Sequence, residues 1–354
     1  MSNPYEGRPD YAFWKRAVAG RPAEAVDPVI AAPFRIGRQD PIATAGSCFA
    51  QNISRVLVEQ GYRFLVTEPA PAPGPQYEGY GVFPARFGNI YTARQLLQTF
   101  LRAYGAFRPV EGEWRRKDGA WIDPFRPRIQ ASGFASLEAL EADRGRHLRA
   151  VRAMFEQCAV FVFTLGLTEA WRSRADGAVY PLAPGVAGGE FDETRHEFHN
   201  FDVAEVCQDM TQFLRRLRVV NPTAKVILTV SPVPLVATAE DRHVLVSTVY
   251  SKSVLRLAAE MAVTGDPAAA YFPAYEIITG PQARGRYFAE DLRNVTAEGV
   301  QQVMTVFARH FLSADAATPG AEALSAAPAP LSAGDLARLH EQAQVICDEE
   351  AIDG

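Results

Sequence analysis

The sequence predicts an α/β fold: a mainly parallel sheet of about five strands with helices on both faces, a three-layer α/β/α sandwich. Two observations carry this. Short apolar runs recur ahead of amphipathic helical patterns along most of the chain, and strand–helix alternation favours a parallel sheet covered by helices. The chain has 354 residues, 48% of them hydrophobic and 22% charged, which suits one large globular domain with decorations.

Residues 1–40 read as an extension that packs on the domain. The stretch Met1 to Pro28 is polar and aromatic without a continuous apolar run, so it does not read as a signal peptide. The main domain spans 41–312. Its expected strands are Ile42–Gly46, Arg63–Thr67, Val160–Leu165, Lys225–Val230 and Ala270–Tyr275. Helical spacing covers 48–60, 92–104, 137–157, 202–219, 243–262 and 297–312. Gly61 stops the first helix, Asp202 with Glu205 starts another as a capping box, and Asn221-Pro222 ends it.

Two insertions interrupt the alternation. Residues 111–128 carry Trp114, Trp121 and the turn-forming Lys117-Asp118-Gly119, a hairpin over the sheet edge. Residues 178–200, rich in Gly and Pro, read as a long lid-like loop ending in Arg195-His196-Glu197-Phe198-His199-Asn200. From 313 to 330 the composition shifts to Ala, Pro and Ser, a linker leading to a terminal helix within 331–354 that is a candidate oligomerisation element.

A net charge of −5 leaves no basic footprint, so nucleic acid is not an expected partner. No stretch has the length of a membrane span, and the four cysteines show neither metal nor disulfide spacing. A cytoplasmic, reduced protein without metal or cofactor is expected; no glycine-rich phosphate loop is present either.

The most informative residues are Ala45-Gly46-Ser47-Cys48-Phe49-Ala50, at a strand-to-helix switch. Ser47 falls at the carboxyl end of a strand and the start of a helix, where N–H groups and the dipole stabilise a developing anion. A serine nucleophile needs that position; a helix N-cap is the other reading of the same residue. In open parallel sheets ligands bind beyond the carboxyl strand ends, where Gly166–Glu169 and Ser231 also fall.

Gly46-Ser47-Cys48-Phe49-Ala50 resembles the signature of the GSCFA family, a branch similar to the SGNH/GDSL hydrolases. The resemblance extends in order through Asn3-Pro4-Tyr5, Tyr11-Ala12-Phe13-Trp14, Thr164 to Trp171, Thr229-Val230-Ser231-Pro232, Ser251-Lys252-Ser253, Tyr275-Glu276-Ile277-Ile278 and Tyr287 to Arg293. It covers roughly residues 3–312. It implies an SGNH-like fold and a serine acyl ester hydrolase or acyltransferase acting on a small acyl group, such as acetyl on a glycan or other hydroxyl compound.

Carried onto this sequence, the resemblance makes Ser47 the nucleophile and Gly88 and Asn89 oxyanion donors. Gly166 and Thr168 stand in the block that reads Gly-x-Asn-Asp in SGNH enzymes. In the last block those enzymes carry Asp-x-x-His, whereas this chain reads Asp291-Leu292-Arg293-Asn294. Asparagine cannot take the serine's proton. Three substitutes stay open: His196 or His199 oriented by Asp291 or Glu197, Asp291 acting directly or through water, or Cys48 as the nucleophile. His243 is a reserve base. On the hydrolase reading Ser47 is exposed at the strand ends with Asp291 nearby and Asn294 in the pocket. The competing class is a non-catalytic binding or scaffolding protein on a degenerate hydrolase fold, which the change at Asn294 favours.

Overall fold

The computed structural model describes residues 3–70 and 79–313. In chain order the elements are β1 (Ile42–Gly46), α1 (Cys48–Glu59), α2 (Ala93–Ala103), β2 (Trp114–Arg115), β3 (Trp121–Ile122), α3 (Leu137–Gln157), β4 (Val160–Leu165), β5 (Glu169–Ser173), β6 (Val179–Tyr180), β7 (His196–Asn200), α4 (Val203–Val220), β8 (Lys225–Val230), α5 (Val244–Gly265), β9 (Ala269–Tyr271), α6 (Ala274–Thr279) and α7 (Ala297–Phe311). Short 3-10 and π turns lie ahead of β1.

The central sheet is all parallel, in the order β1-β4-β8-β9, with Gly46 opposite Thr164 and Leu165 opposite Val230. Its strands are buried on both faces, so they read as continuous apolar runs. Alternate residues feed two separate cores. On one side Ala43, Phe161, Phe163 and Leu228 pack with Leu96, Phe155, Phe213 and Leu255 from α2, α3, α4 and α5. On the other, Ile42, Val160, Val162 and Ile227 pack with Ile53, Ile277 and Phe307 from α1, α6 and α7. Each fully buried Phe or Leu contributes about 1.5–3 kcal/mol, so a helix layer on each face is what makes a parallel sheet stable. This is the three-layer sandwich expected from the alternation.

The fifth strand is reduced to a single bridge. Ile42 N–H donates to the Arg63 carbonyl (2.9 Å) and Leu65 N–H to that of Ile42 (2.8 Å), on the edge of β1 away from β4. Thr67 N–H then turns to the Pro84 carbonyl, so no ladder develops. With this segment counted, the order is the doubly wound one in which the chain steps to one side of β1 and then to the other. A crevice therefore opens at the carboxyl ends of β1 and β4.

Two expectations are corrected. Residues 178–200 are not one loop: β6 and β7 flank β5 in a three-stranded antiparallel sheet, because the chain leaves Thr168 as a strand rather than a helix. Trp171 thus lies on a strand. The run 270–275 splits, since β9 ends at Tyr271 and Pro273 caps α6. The hairpin in 111–128 is two residues per strand. It is held mainly by buried charge: Arg126 bonds Asp123 and Asp143 (2.9 Å each), and Arg86 bonds Asp143 (3.2 Å).

The amino-terminal segment packs against α7 through Ile36, Arg35 and Asp27; Asp27 bonds His310 at 2.8 Å. No helix among the described residues is long and apolar enough to cross a membrane. The terminal helix expected in 331–354, and the linker beyond Ser313, lie outside the described residues.

Candidate active site

Ser47 is the residue at which β1 becomes α1. It has extended backbone angles (φ −71°, ψ 179°), and its side chain makes no capping bond to the helix. The residue is 3% exposed, and among the described residues its Oγ has no hydrogen-bond partner. A buried hydroxyl left unbonded costs roughly 1–3 kcal/mol, which is stability given up at this position. The helix-cap reading is therefore not what the structure shows, and the expected exposure is corrected to burial. The roof consists of Tyr91, Leu167, Val233, Pro234 and Leu235, which close over the serine.

Gly46 makes the approach to β4 feasible. Its φ of +140° and its contact with β4 exclude a side chain: a Cβ would stand 2.4 Å from the Thr164 carbonyl oxygen. Gly166 does the same from the far side. A Cβ there would lie 3.2 Å from the Ser47 Cβ and 3.0 Å from the Tyr91 carbonyl oxygen. Tyr91 is fixed in turn, since its carbonyl accepts from Gly166 and Leu167 N–H (3.0 and 3.1 Å) while the Ile90 N–H donates to Gly46.

Lys252 of α5 completes the constellation. It is 2% exposed, and its Nζ donates to the Gly166 carbonyl at 2.6 Å. Lys252, Ser47, Cys48, Gly166 and Ser231 line one small cavity of about 10 Å³, room for about one water. The preceding Ser251 accepts from Thr168 N–H (3.0 Å). Segments far apart in sequence, each carrying a short motif, thus meet at the carboxyl ends of β1, β4 and β8.

A larger cleft of about 270 Å³ adjoins this cavity, and Tyr91, Leu167 and Leu235 line both. Its walls include Trp171 and Phe198 of the antiparallel sheet and the segments 180–183 and 235–239. Glu169 stands in the wall with its oxygens occupied by Thr238 Oγ1 (2.6 Å) and Ala239 N–H (3.2 Å). Burial pushes its carboxyl above the usual range.

The GSCFA family model matches residues 41–307. The chain belongs to the GSCFA family. No curated protein matches it. In this GSCFA protein the matched span runs from the residue before β1 into α7, so it contains every residue of the cavity just described.

The other residues singled out from the sequence lie elsewhere. Asp291 is exposed and closes a turn on itself, accepting from Arg293 and Asn294 N–H (2.9 Å each) and from Asn294 Nδ2 (2.6 Å). Those donors hold its carboxyl below the usual range. Neither Asp291 nor Asn294 lines the Ser47 cavity, which corrects the expected proximity. His196 and His199 sit on β7. His196 Nε2 bonds Glu111 (2.9 Å) while its Nδ1 accepts from Asp192 N–H, and His199 Nε2 bonds Glu205 (2.9 Å). Neither reaches the cavity lining, because β7 pairs with the outward-running β5.

His243 caps α5, its Nδ1 accepting from Leu245 N–H. Thr168 is fully buried with its hydroxyl donating to Asn200 Oδ1 (2.7 Å), turned away from Ser47. Asn89 is tied to the first turn of α1, accepting from Gln51 Nε2 (3.1 Å), with Gly88 just before it. Among the described residues no group of His, Cys, Asp and Glu is arranged to hold a metal ion.

The residue missed by sequence reasoning is Lys252. Its signal was present: it is the one lysine in the stripe Ser251, Lys252, Leu255, Ala259 and Ala262 that α5 buries. A lysine on the apolar stripe of a helix is seldom solvated and asks for a partner.

Proposed function

We propose that this GSCFA protein is an acyl ester hydrolase or acyltransferase related to the SGNH enzymes, with Ser47 as nucleophile and Lys252 in the proton-carrying role that histidine fills in them. The observation that carries the reading is the shared cavity. An unbonded, buried serine hydroxyl and a buried lysine amine lie on either side of Gly166, which touches one and holds the other.

In the proposed reaction Ser47 Oγ attacks the ester carbonyl carbon and its proton passes to Lys252 Nζ. The oxyanion that forms is met by N–H groups of the first turn of α1. Collapse breaks the bond to the alcohol oxygen, which takes the proton from Nζ and leaves. Water, or a second hydroxyl compound, then attacks the acyl-serine; its proton travels by the same amine, and Ser47 is restored. Because the cavity holds about one water, an ester enters only when the 233–235 segment moves aside.

Intact-mass labelling with a fluorophosphonate tests this. The wild type gains one adduct and Ser47→Ala gains none. Lys252→Met and Lys252→Arg label at least about a hundredfold more slowly, since neither accepts a proton. His196→Ala and His199→Ala label as the wild type does. Adduct retained in Ser47→Ala removes the nucleophile from the account. Failure of the wild type to label favours the second reading, a binding protein on a degenerate hydrolase fold, which the sealed Ser47 hydroxyl and the self-contained Asp291–Asn294 turn support.

A further inference from the structure

We propose that the 270 Å³ cleft beside Ser47 is the acyl-chain site of the enzyme, and that the chain it takes is unbranched, apolar and of medium length rather than acetyl. This rests on the Ser47 reading and names its substrate class. Three features carry it. The cleft adjoins the Ser47 cavity, with Tyr91, Leu167 and Leu235 in the walls of both, so once the 233–235 segment moves aside a carbonyl at Ser47 directs one substituent into it.

Most of its polar side chains are already bonded within the protein. Thr92 Oγ1 accepts from Gln95 N–H, and Gln95 bonds Tyr91 and Asn89. The Tyr180 hydroxyl donates to Glu111, and Thr238 bonds Glu169. What faces the space is therefore hydrocarbon, chiefly Trp171, Tyr180, Leu182, Val186, Phe198 and Leu235. A glycan or peptide would leave hydroxyl or amide groups unpaired there.

The size fits a chain. A dry cavity of about 150 Å³ accepts benzene, so nearly twice that volume accommodates about six to ten chain carbons. An acetyl group would leave almost all of it empty. Val186, Ala237 and Ala239 of the lining are exposed, so longer chains protrude to solvent past this rim.

The test separates chain binding from catalysis. Methyl esters of acetate, butyrate, hexanoate, octanoate and dodecanoate are titrated into Ser47→Ala, followed by calorimetry and by the fluorescence of Trp171 against Trp171→Phe. The same esters are then turned over by the wild type. The expected affinity and kcat/KM both rise about fourfold per methylene up to about octanoate and then level off. Val186→Trp at the rim moves the optimum to shorter chains. An acetate optimum, or a binding profile flat in chain length, overturns the cleft assignment whatever Ser47 does. Chain-length-dependent binding with no turnover leaves the cleft in place as an apolar-chain site but overturns its link to Ser47 chemistry.

Discussion

Gly166 joins Ser47 and Lys252, the two groups proposed to react, at the scale of single atoms. Its backbone carbonyl anchors the Lys252 ammonium or amine, and its missing side chain lets Ser47 and Tyr91 close in. Gly166→Ala should leave circular dichroism unchanged and lower the melting temperature only modestly, because the clash is 3.0–3.4 Å contact that neighbours absorb by a few tenths of an ångström. Labelling of Ser47 should nonetheless fall at least about tenfold, since displacement near 1 Å at a reacting centre is enough for such losses. Gly46→Ala differs: a Cβ 2.4 Å from a backbone oxygen at positive φ cannot be absorbed, and the chain should fail to fold. Ser47 was legible because a serine between an apolar strand and an amphipathic helix has few roles. The histidines misled for a physical reason: His196 and His199 lie in a polar stretch, yet each already has a carboxylate partner, Glu111 from far along the chain for His196 and nearby Glu205 for His199. Lys252 is legible as a lysine on the apolar stripe of α5, but its partner, the Gly166 carbonyl, comes from a distant strand end and cannot be read from spacing.

Among the elements, those set by periodicity agree closely with their expected bounds: α1, α2, α3, α4 and α7 within a residue or two at either end. Those set by partner choice do not. The segment 63–65 is apolar enough for a strand, but whether it forms a ladder is decided by where Thr67 turns. Likewise β5 to β7 hold together by mutual pairing, and their short sequences, mixing Glu, Arg and His with single aromatics, show no alternation strong enough to announce a sheet. The buried charges that tie the 111–128 insertion to α3 were equally invisible. Asp143 accepts from Arg86 and Arg126, both nearly fully buried, and also from Arg146. Asp143→Ala leaves two buried guanidinium groups short of a partner and should cost about 3–5 kcal/mol, read as a lower urea midpoint at unchanged slope. Ser47 labelling below the transition should persist, because the network lies outside the cavity lining.

Across the whole molecule, the doubly wound order places a crevice at β1 and β4, and the motif-bearing segments collect there; that much followed from alternation alone. The global balance of charge also leaves a pH signature. Asp209 on α4 bonds Arg94 on α2 at 2.7 Å through one oxygen, while the other is buried without a partner among the described residues. Burial outweighs the Arg94 charge and raises its carboxyl from 3.8 to about 6. The native state then binds more protons than the unfolded chain between those values, so this group's contribution to stability falls as pH rises from about 4 to about 6 and is flat above. Asp209→Asn removes that slope. Its stability relative to the wild type should rise across this window by about 2–3 kcal/mol, measured by urea unfolding at several pH values.

The central claim is that Ser47 forms an acyl-enzyme with the help of Lys252. The most direct measurement is acid quenching of the protein shortly after mixing with an activated octanoate ester, followed by peptide mapping by mass. An octanoyl group is expected on the peptide containing Ser47, at Ser47 itself, absent in Ser47→Ala and greatly delayed in Lys252→Arg. An adduct on Cys48, or an acyl-serine that forms as fast without the lysine amine, would contradict it.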